Sequence, residues 1–270
     1  MNVNSNEHFC TIFDSKFLPI GLTMARTLLE QCPNAVLWVM CLDQECHQYL
    51  QTLNIDGIRP VELSHVETNE LLAVKQNRSR AEYAWTLTPF ACDMVFELCP
   101  QALRATYLDA DLAFFDSPTL LINQMQQAQK GVLITEHAFA PEYAHGIRYG
   151  RFCVQFMTFN REPQAIAIMK HWQSQVLDWC YARLDNNRFG DQMYLNDWPQ
   201  KYESVVHILK QTHLTLAPWN VSHVAETRNE FDPVFYHFHG LQFVTSKNVR
   251  LYSGYRINDK ISLLETRGKK

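Results

Sequence analysis

Apolar runs of strand length alternate with stretches of helical periodicity in the first part of the chain. Strands are predicted over 8–14, 35–43 and 58–63, and helices over 17–32 and 44–53. The run 35–43 is continuously apolar and ends in an aspartate, which is typical of a central parallel strand. Strands that alternate with helices predict an open, doubly wound α/β sheet.

The rest of the chain continues this alternation less regularly. A helix is predicted over 82–99, entered through a bend at Pro89, and the apolar run 104–115 is predicted as one strand. Further predicted elements are strands at 131–137, 151–160 and 205–209, a long helix at 163–184 and a short helix around 191–198. No repeat, low-complexity tract or linker divides the chain, so we expect a single domain over 1–270.

Composition narrows the class of protein. Of 270 residues 47% are hydrophobic and 19% charged, which is enough apolar material for a real core. The net charge of −4 gives no indication of a nucleic-acid partner. No run reaches the roughly 18 apolar residues of a membrane span, and the polar start lacks a signal-peptide core. We therefore expect a cytoplasmic protein, whose basic segment 267–270 could touch an anionic membrane surface weakly.

Eight cysteines are scattered along the chain, and several of them lie within apolar segments. The sequence contains no C-x-x-C pair, so the spacing gives no indication of a zinc site. Reduced thiols in the core are the better interpretation for a cytoplasmic protein.

Two acids end the most apolar predicted strand, in the segment TYLDADLAFFDSP. Asp109 and Asp111 are two positions apart, so their carboxylates can approach one cation together at a turning strand end. Hard oxygen ligands suit Mg²⁺ or Mn²⁺, which substrate phosphates commonly complete. Such an ion would neutralise charge on a departing nucleoside diphosphate. The alternative is that both acids only cap a helix or bind backbone amides.

The chain resembles the GT-A glycosyltransferases, in particular family-8-like bacterial sugar transferases. The resemblance covers roughly 80–245 and rests on motifs in the same order: EYAWTLTPF, TYLDADLAFFDSP, FGDQMYLNDWPQKY, LAPWNV and YHFHG. It implies a GT-A fold, an open and mostly parallel twisted sheet flanked by helices. The nucleotide would bind to the half at about 1–120, and the half at about 121–270 would bind the acceptor and complete the metal site.

The histidine of an H-F-x-G pattern supplies a third metal ligand in similar enzymes, which implies His237 here. Its imidazole would favour Mn²⁺ somewhat over Mg²⁺. His239 takes the variable position and could contact the diphosphate or the acceptor. Similar enzymes also place a lysine shortly after this histidine, but Gln242 lies in that region. Three side chains remain as alternative donor-binding cations: Lys247, Arg250 and His239.

The pair Asp191 and Gln192 follows a glycine and could be an ordinary helix N-cap. The resemblance implies a catalytic position beside the anomeric carbon of the donor sugar and favours retention of configuration. Asp191 could equally serve an inverting enzyme as general base. Trp219 and Asn220 are candidates for the acceptor site, because an indole packs on sugar rings and an amide binds hydroxyl groups. A buried tryptophan that packs a loop is the equal alternative for Trp219.

At the nucleotide end, the resemblance implies that Phe13 and Asp14 contact the base. The guanidinium of Arg80 could reach a phosphate or ribose, unless it is a solvated loop charge. The sequence has neither the P-loop nor the dinucleotide-binding glycine pattern.

These features predict a metal-dependent glycosyltransferase that uses Mn²⁺ or Mg²⁺. It would transfer a sugar from a nucleotide-diphosphate donor, with UDP favoured by analogy, to a glycan or lipid-linked glycan acceptor in bacterial surface polysaccharide synthesis. A sugar-phosphate nucleotidyltransferase is one alternative, although Gly21 is the only glycine in 8–30, where a triphosphate loop would need several. A non-catalytic glycan-binding module is the other.

Overall fold

The strands lie in three sheets. The computed structural model of the chain describes residues 6–228, 232–244, 248–250 and 254–257. Its strands are β1 (Glu7–Phe13), β2 (Ala35–Cys41), β3 (Ile58–Glu62), β4 (Arg104–Leu108), β5 (Leu112–Phe114), β6 (Val132–Glu136), β7 (Phe152–Asn160), β8 (Val206–Ile208), β9 (Thr215–Leu216), β10 (Phe235–His237), β11 (Gln242–Phe243) and β12 (Val249–Arg250). The main sheet has the order β3-β2-β1-β4-β7-β6-β8, and a smaller sheet has the order β5-β10-β9.

Helices flank the main sheet. They are α1 (Leu18–Gln31), α2 (Gln44–Leu53), α3 (Asn69–Lys75), α4 (Arg80–Leu98), α5 (Thr119–Gln127), α6 (Pro163–Asp178), α7 (Trp198–Lys201) and α8 (Val221–Thr227). A 3₁₀ segment at Pro141–Tyr149 and another at Gln192–Asp197 border the site described below. Over the part of the chain that the structure describes, none of these helices combines the length and apolar character that crossing a bilayer requires.

The predicted open, mostly parallel α/β sheet is confirmed. Strands β3, β2, β1 and β4 run parallel, and β6 runs parallel to β8. Strand β7 runs antiparallel to both of its neighbours, β4 and β6. Parallel strands joined through helices place their carboxyl ends at one edge, where ligands bind in open α/β sheets.

Both faces of the sheet are covered, as expected for a doubly wound fold. Within β1, Cys10 and Ile12 pack on the side of α4 and α6, whereas Phe9 and Phe13 pack on the side of α1, α2 and α5. This alternation follows from the two-residue period of a strand. All eight cysteines are buried free thiols, in agreement with the sequence-based interpretation.

The prediction of one continuous strand over 104–115 is wrong. The chain leaves the main sheet after Leu108, and β5 pairs with β10 in the smaller sheet instead. Asp109 and Asp111 therefore lie at the corner between two sheets. The pairing of β5 with β10 sets His237 opposite Leu112. The corner thus brings a residue from the far end of the chain beside the two acids.

Two predicted helix boundaries also need correction. Helix α4 begins at Arg80, because Ser79 and Glu82 form a capping box there, and Pro89 lies inside the helix rather than at an entry bend. Helix α6 ends at Asp178 rather than continuing to 184, because Trp179 is already extended. The Tyr194 hydroxyl donates to the carbonyl oxygen of Trp179 at 2.6 Å, which provides a partner just beyond the helix end.

Candidate active site

A cavity of about 1030 Å³ opens at the carboxyl ends of β1 and β4. Its walls come from the end of β1, the first turns of α4, the corner between β4 and β5, the 3₁₀ segment Pro141–Tyr149 and the segment around Asp191. Sequence-predicted site residues line it throughout: Phe13, Asp14, Arg80, Asp109, Asp111, Asp191, Gln192, Trp219, His237 and His239. A ligand cavity at this edge of the sheet agrees with the general rule for open α/β folds.

Asp109, Asp111 and His237 meet at the corner. The Nε2 atom of His237 lies 3.1 Å from an oxygen of Asp111 and 3.8 Å from an oxygen of Asp109. The backbone contributes to this arrangement, since Phe238 N donates to Asp111 O at 2.8 Å. We name these three residues the acid corner. The structure thus brings both acids to the Nε2 atom of His237, while the described group whose ligand atoms all lie within 4.8 Å of one another contains Asp109 and His237 but not Asp111.

Gln155 on β7 orients the histidine of the acid corner. Its Oε1 atom accepts a hydrogen bond of 2.8 Å from Nδ1 of His237, so Nδ1 carries the proton and Nε2 faces the acids. The other end of the same amide donates to Thr135 at 3.4 Å. Gln155 is 1% exposed, so water does not compete for this bond. Local sequence pattern does not indicate this role, because the contact depends on how β7 packs beside the end of β4.

Cys153 is a second residue that the sequence did not indicate. Within the described ranges, one group of three metal-ligating side chains has its ligand atoms within 4.8 Å of one another: Asp109, Cys153 and His237. Cys153 lies two positions before Gln155 on β7, so both side chains point to the same side of the strand. It is buried and lines the cavity.

The acid corner carries strongly perturbed charges. Burial, together with the negative charge of Asp111, raises the pKa of Asp109 to about 7 against the attraction of His237. Burial also opposes the charge of Asp111, but the charge and hydrogen bond of His237 outweigh it and lower the pKa of Asp111. Burial likewise opposes the charge of His237, and Asp111 outweighs it, so the pKa of the imidazole lies well above its usual value.

Cys153 and His239 are shifted by the same surroundings. Burial disfavours the Cys153 thiolate, but the neighbouring His137 and His237 outweigh it and lower the pKa of the thiol to about 6. Burial and the positive charge of His237 lower the pKa of His239 to about 4. His239 is therefore neutral at pH 7. Strong perturbation by named partners in a cleft is typical of functional sites.

Asp191 and Gln192 also line the cavity. Gly190 takes φ +53°, a left-handed conformation that favours glycine, and turns the chain into this pair. Trp172 donates to the backbone oxygen of Asp191 at 2.9 Å, and Gln192 donates to Tyr149 O at 2.8 Å. Burial and the negative charge of Asp109, which lines the same cavity, raise the pKa of Asp191 to about 8.

The end of the cavity that the sequence predicts to bind the nucleotide, named the nucleotide end below, contains an ion-pair bridge. The Arg80 guanidinium lies 2.6 Å from Asp14 and 2.7 Å from Asp43, which follow β1 and β2 respectively. Arg80 is thus paired with two protein carboxylates rather than left as a solvated loop charge. Phe13 lines the cavity here and packs its ring against Gly21, where an added Cβ would lie 2.6 Å from it.

The sequence offers three candidates for the missing cation. Lys247 lies outside the described residues. Arg250 hydrogen-bonds to Gln242 within the exposed β11–β12 pair. His239 lies in the cavity, with its ring centroid 5.7 Å from that of His237. Of the two described candidates, His239 is the one that lines the site, but its lowered pKa of about 4 leaves it neutral at pH 7, so it supplies a hydrogen-bonding group there and no cation.

The part of the cavity beside His237 and His239 is aromatic, and it is named the aromatic end. Trp219 packs edge-on against His237 and His239, and its Nε1 donates to His137 O at 2.6 Å. Asn220 is not among the lining residues; its amide bonds to the backbone of Ala217 and His137. Trp219 lines the cavity but is only 4% exposed, which agrees with the alternative of a buried tryptophan that packs a loop, and the contacts of Asn220 hold the same loop.

Comparisons with known proteins agree with the fold. No protein-family model matches the chain. The uncharacterized protein YfnD of Bacillus subtilis (strain 168) is 29% identical over 269 residues, which cover 96% of this chain and 86% of YfnD. YfnF of the same organism is 24% identical over 257 residues, with 90% and 84% covered.

Several solved structures resemble this chain. Mouse xyloside xylosyltransferase 1 has a TM-score of 0.55 at 12% identity and covers 87% of this chain and 98% of its own. The galactosyltransferase LgtC, solved with donor and acceptor sugar analogs, has a TM-score of 0.56 at 14% identity, covering 86% and 87%. The glycosyltransferase GlyE of Streptococcus pneumoniae TIGR4 has a TM-score of 0.60 at 9% identity, covering 98% of this chain and 61% of GlyE.

These neighbours are GT-A glycosyltransferases, and the chain has their fold. The GT-A fold implied by the sequence resemblance is therefore confirmed. The narrower likeness to family-8-like enzymes stays a prediction, because identities of 9–14% establish the fold alone.

Proposed function

We propose that the protein is a metal-dependent glycosyltransferase that takes a sugar from a nucleotide-diphosphate donor. The observation that carries this proposal is the acid corner: Asp109, Asp111 and His237 converge at the sheet edge where a GT-A fold binds its donor. Fold alone does not define an activity, so the proposal depends on the chemistry of these side chains.

The acid corner fits a divalent cation. Asp109 and Asp111 share one imidazole, and burial alone already disfavours their charge. A divalent cation would satisfy both carboxylates and the Nε2 atom that Gln155 aims at them. When bound there, Mn²⁺ or Mg²⁺ would neutralise the negative charge on the leaving diphosphate. The mixed oxygen and nitrogen ligands favour Mn²⁺.

The remaining lining residues divide the cavity between donor and acceptor. Phe13 and Asp14 would contact the base, and Arg80 would hold Asp14 in place. Lys247 stays a candidate for the cation that binds the donor diphosphate. Asp191 and Gln192 would hydrogen-bond the donor sugar beside its anomeric carbon, and the ionised form of Asp191, favoured above its raised pKa of about 8, would stabilise a developing oxocarbenium charge. His239 and Trp219 would face the diphosphate and the acceptor, and we assign to Asn220 the positioning of that loop.

We propose that the donor is a UDP-sugar and that the acceptor is a glycan or lipid-linked glycan. The sugar would be transferred with retention of configuration. Support comes from the described cavity, which is lined both by the residues of the nucleotide end and by Trp219, whose ring packs against His237 of the acid corner. The LgtC structure holds donor and acceptor sugar analogs in a protein of the same fold. Surface polysaccharide synthesis is the corresponding biological role that we propose.

The proposal is tested by binding and turnover with defined donors. Calorimetry should detect UDP binding that requires Mn²⁺, and a UDP-sugar panel should show slow metal-dependent hydrolysis. Asp109→Ala should lower both by more than about a hundredfold, as when one electrostatic catalytic group is removed.

A matched control is Asp56→Asn, an exposed acid in the turn that enters β3 at the opposite sheet edge. It should leave binding and hydrolysis unchanged. Full hydrolysis in Asp109→Ala, or pyrophosphate release from a nucleoside triphosphate and a sugar phosphate, would contradict the assignment.

A further inference from the structure

We propose that Cys153 is an additional ligand of the metal at the acid corner, which makes the site selective for transition metals over Mg²⁺. This inference rests on the proposed function, because it assumes that a divalent cation binds beside Asp109 and His237. It adds to that function a ligand that neither the D-x-D pair nor the histidine motif indicates.

The geometry places the sulfur with the other ligands. The ligand atoms of Asp109, Cys153 and His237 all lie within 4.8 Å of one another. Tetrahedral ligands at bond lengths of 2.0–2.3 Å lie about 3.3–3.8 Å apart, so each pair needs to close by no more than about 1–1.5 Å, which side-chain rotation can supply. An oxygen of Asp111 lies 3.1 Å from the Nε2 atom of His237. One ion could therefore be bound by ligands from the β4–β5 corner, β7 and β10.

The surroundings of Cys153 fix its side chain at the site. Its neighbour Gln155 bonds to His237, and Thr135 donates to the backbone oxygen of Cys153 at 3.3 Å. Cys153 lines the cavity, and none of the other seven cysteines does. Cys153 also packs in a small apolar cluster with Ala217 and Trp219, but of the eight cysteines it alone combines this burial with a place beside Asp109 and His237.

The ligand set then determines which metal is preferred. Carboxylate oxygens alone accept Mg²⁺ readily, whereas a thiolate is a soft ligand that Mg²⁺ binds poorly. Oxygen, nitrogen and sulfur together favour Mn²⁺ and, more strongly, Co²⁺ and Zn²⁺. Binding through sulfur releases the thiol proton to solvent, so no oxidant or reductant takes part.

The test uses Co²⁺ as a spectroscopic probe of the intact protein in the presence of UDP. A Co²⁺–thiolate bond gives an intense charge-transfer absorption in the near ultraviolet, which oxygen and nitrogen ligands do not produce. The wild type should show this band, and Cys153→Ser should lose it. We expect Co²⁺ affinity to fall at least about tenfold in Cys153→Ser while Mg²⁺ affinity changes by less than about threefold.

Cys32→Ser provides the matched control. Cys32 is a buried thiol at the end of α1, and a serine hydroxyl can keep its contact with Asn34. The band should persist in this variant. Thermal unfolding in EDTA checks that both variants fold.

The outcomes separate this inference from the proposed function. If Co²⁺ binds without the band and Asp109→Asn abolishes that binding, the acid corner binds metal and Cys153 is not a ligand. If neither Co²⁺ nor Mn²⁺ binds in the presence of UDP, both the thiolate ligand and the metal dependence of the proposed function are wrong. A band that survives in Cys153→Ser also overturns the inference.

Discussion

The two ends of the cavity each set two aspartates around one cation, but they hold these acids differently. At the nucleotide end, one guanidinium bridges Asp14 and Asp43 at 2.6 and 2.7 Å, and both acids also accept hydrogen bonds from backbone N–H groups at helix starts. At the acid corner, Asp109 and Asp111 share the single imidazole of His237, and Cys153 lies beside them. The fold itself satisfies the acids of the nucleotide end, whereas the acid corner and Cys153 set three potential anions around one imidazole, an excess that a metal ion can neutralise.

The carboxyl groups of Asp43 and Asp109, one at each end, have pKa values shifted in opposite directions. Burial opposes the charge of Asp43, but hydrogen bonds from Cys46, Ser15 and Arg80 outweigh it and lower the pKa of its carboxyl. Asp109 receives a hydrogen bond from Tyr107 at 3.1 Å, yet burial raises its pKa to about 7. The comparison indicates that Asp43 stabilises the fold and that Asp109 is maintained at a cost to stability, as is common for functional residues.

Asp109→Asn should give the largest effect. It should weaken metal-dependent UDP binding and, in the absence of metal, raise the stability of the fold. We expect metal-dependent UDP binding to fall more than about a hundredfold, because a carboxylate ligand is lost. In EDTA at pH 8, above the raised pKa of Asp109, the melting temperature should rise by roughly 2–4 °C, because a disfavoured buried charge is removed. Calorimetry and thermal unfolding measure the two quantities.

Asp43→Asn should change the melting temperature in the opposite direction in the same unfolding assay. A melting temperature that falls in Asp109→Asn as well would remove the distinction between the two ends of the cavity. The wild type in EDTA is the common reference, so that bound metal does not mask the difference.

Gln155→Leu should weaken metal binding by about 10–100-fold, the usual loss when the partner of a metal-binding histidine is removed. Leucine cannot accept the proton of His237 Nδ1, so the imidazole is no longer held toward the acids. Gln155→Glu keeps an acceptor and should restore most of the affinity. Calorimetric titration of Mn²⁺ into each variant measures the change in metal affinity.

The matched control for this prediction is Gln173→Leu. Gln173 is also a buried glutamine, but it donates to Pro89 O at 3.0 Å and to Asp93 at 3.2 Å, away from the cavity lining. Its replacement should lower stability and leave Mn²⁺ affinity unchanged. Equal losses of affinity in both variants would indicate a general packing effect rather than orientation of His237.

The sequence predicted the part of the site that follows from local pattern. An apolar strand that ends in Asp109 and Asp111 indicates a sheet edge, and a family motif indicates His237. Cys153 and Gln155 could not be predicted, because they reach the corner through the antiparallel pairing of β7 with β4. That pairing depends on tertiary contacts. The same holds for the switch of β5 into the smaller sheet, which the largely apolar run 104–115 does not indicate.

Asp43 gives the smallest expected effect and separates two contributions to stability at the nucleotide end. Asp43 caps α2 by accepting from Cys46 N at 2.9 Å, and it pairs with Arg80. Asparagine keeps the cap and loses the ion pair, so Asp43→Asn should cost about 0.2–1 kcal/mol. Asp43→Ala loses both and should cost about 1 kcal/mol more.

The pH dependence of unfolding checks the ion-pair contribution. A carboxyl with a lowered pKa stabilises the fold above its unfolded pKa of 3.8 and loses that contribution as the pH falls through the folded value. The difference between wild type and Asp43→Asn should therefore be constant from pH 6 to 8 and should shrink below about pH 4. A difference that grows on acidification would show that Arg80 does not stabilise the charged form of Asp43. The nucleotide end would then depend on the helix cap alone.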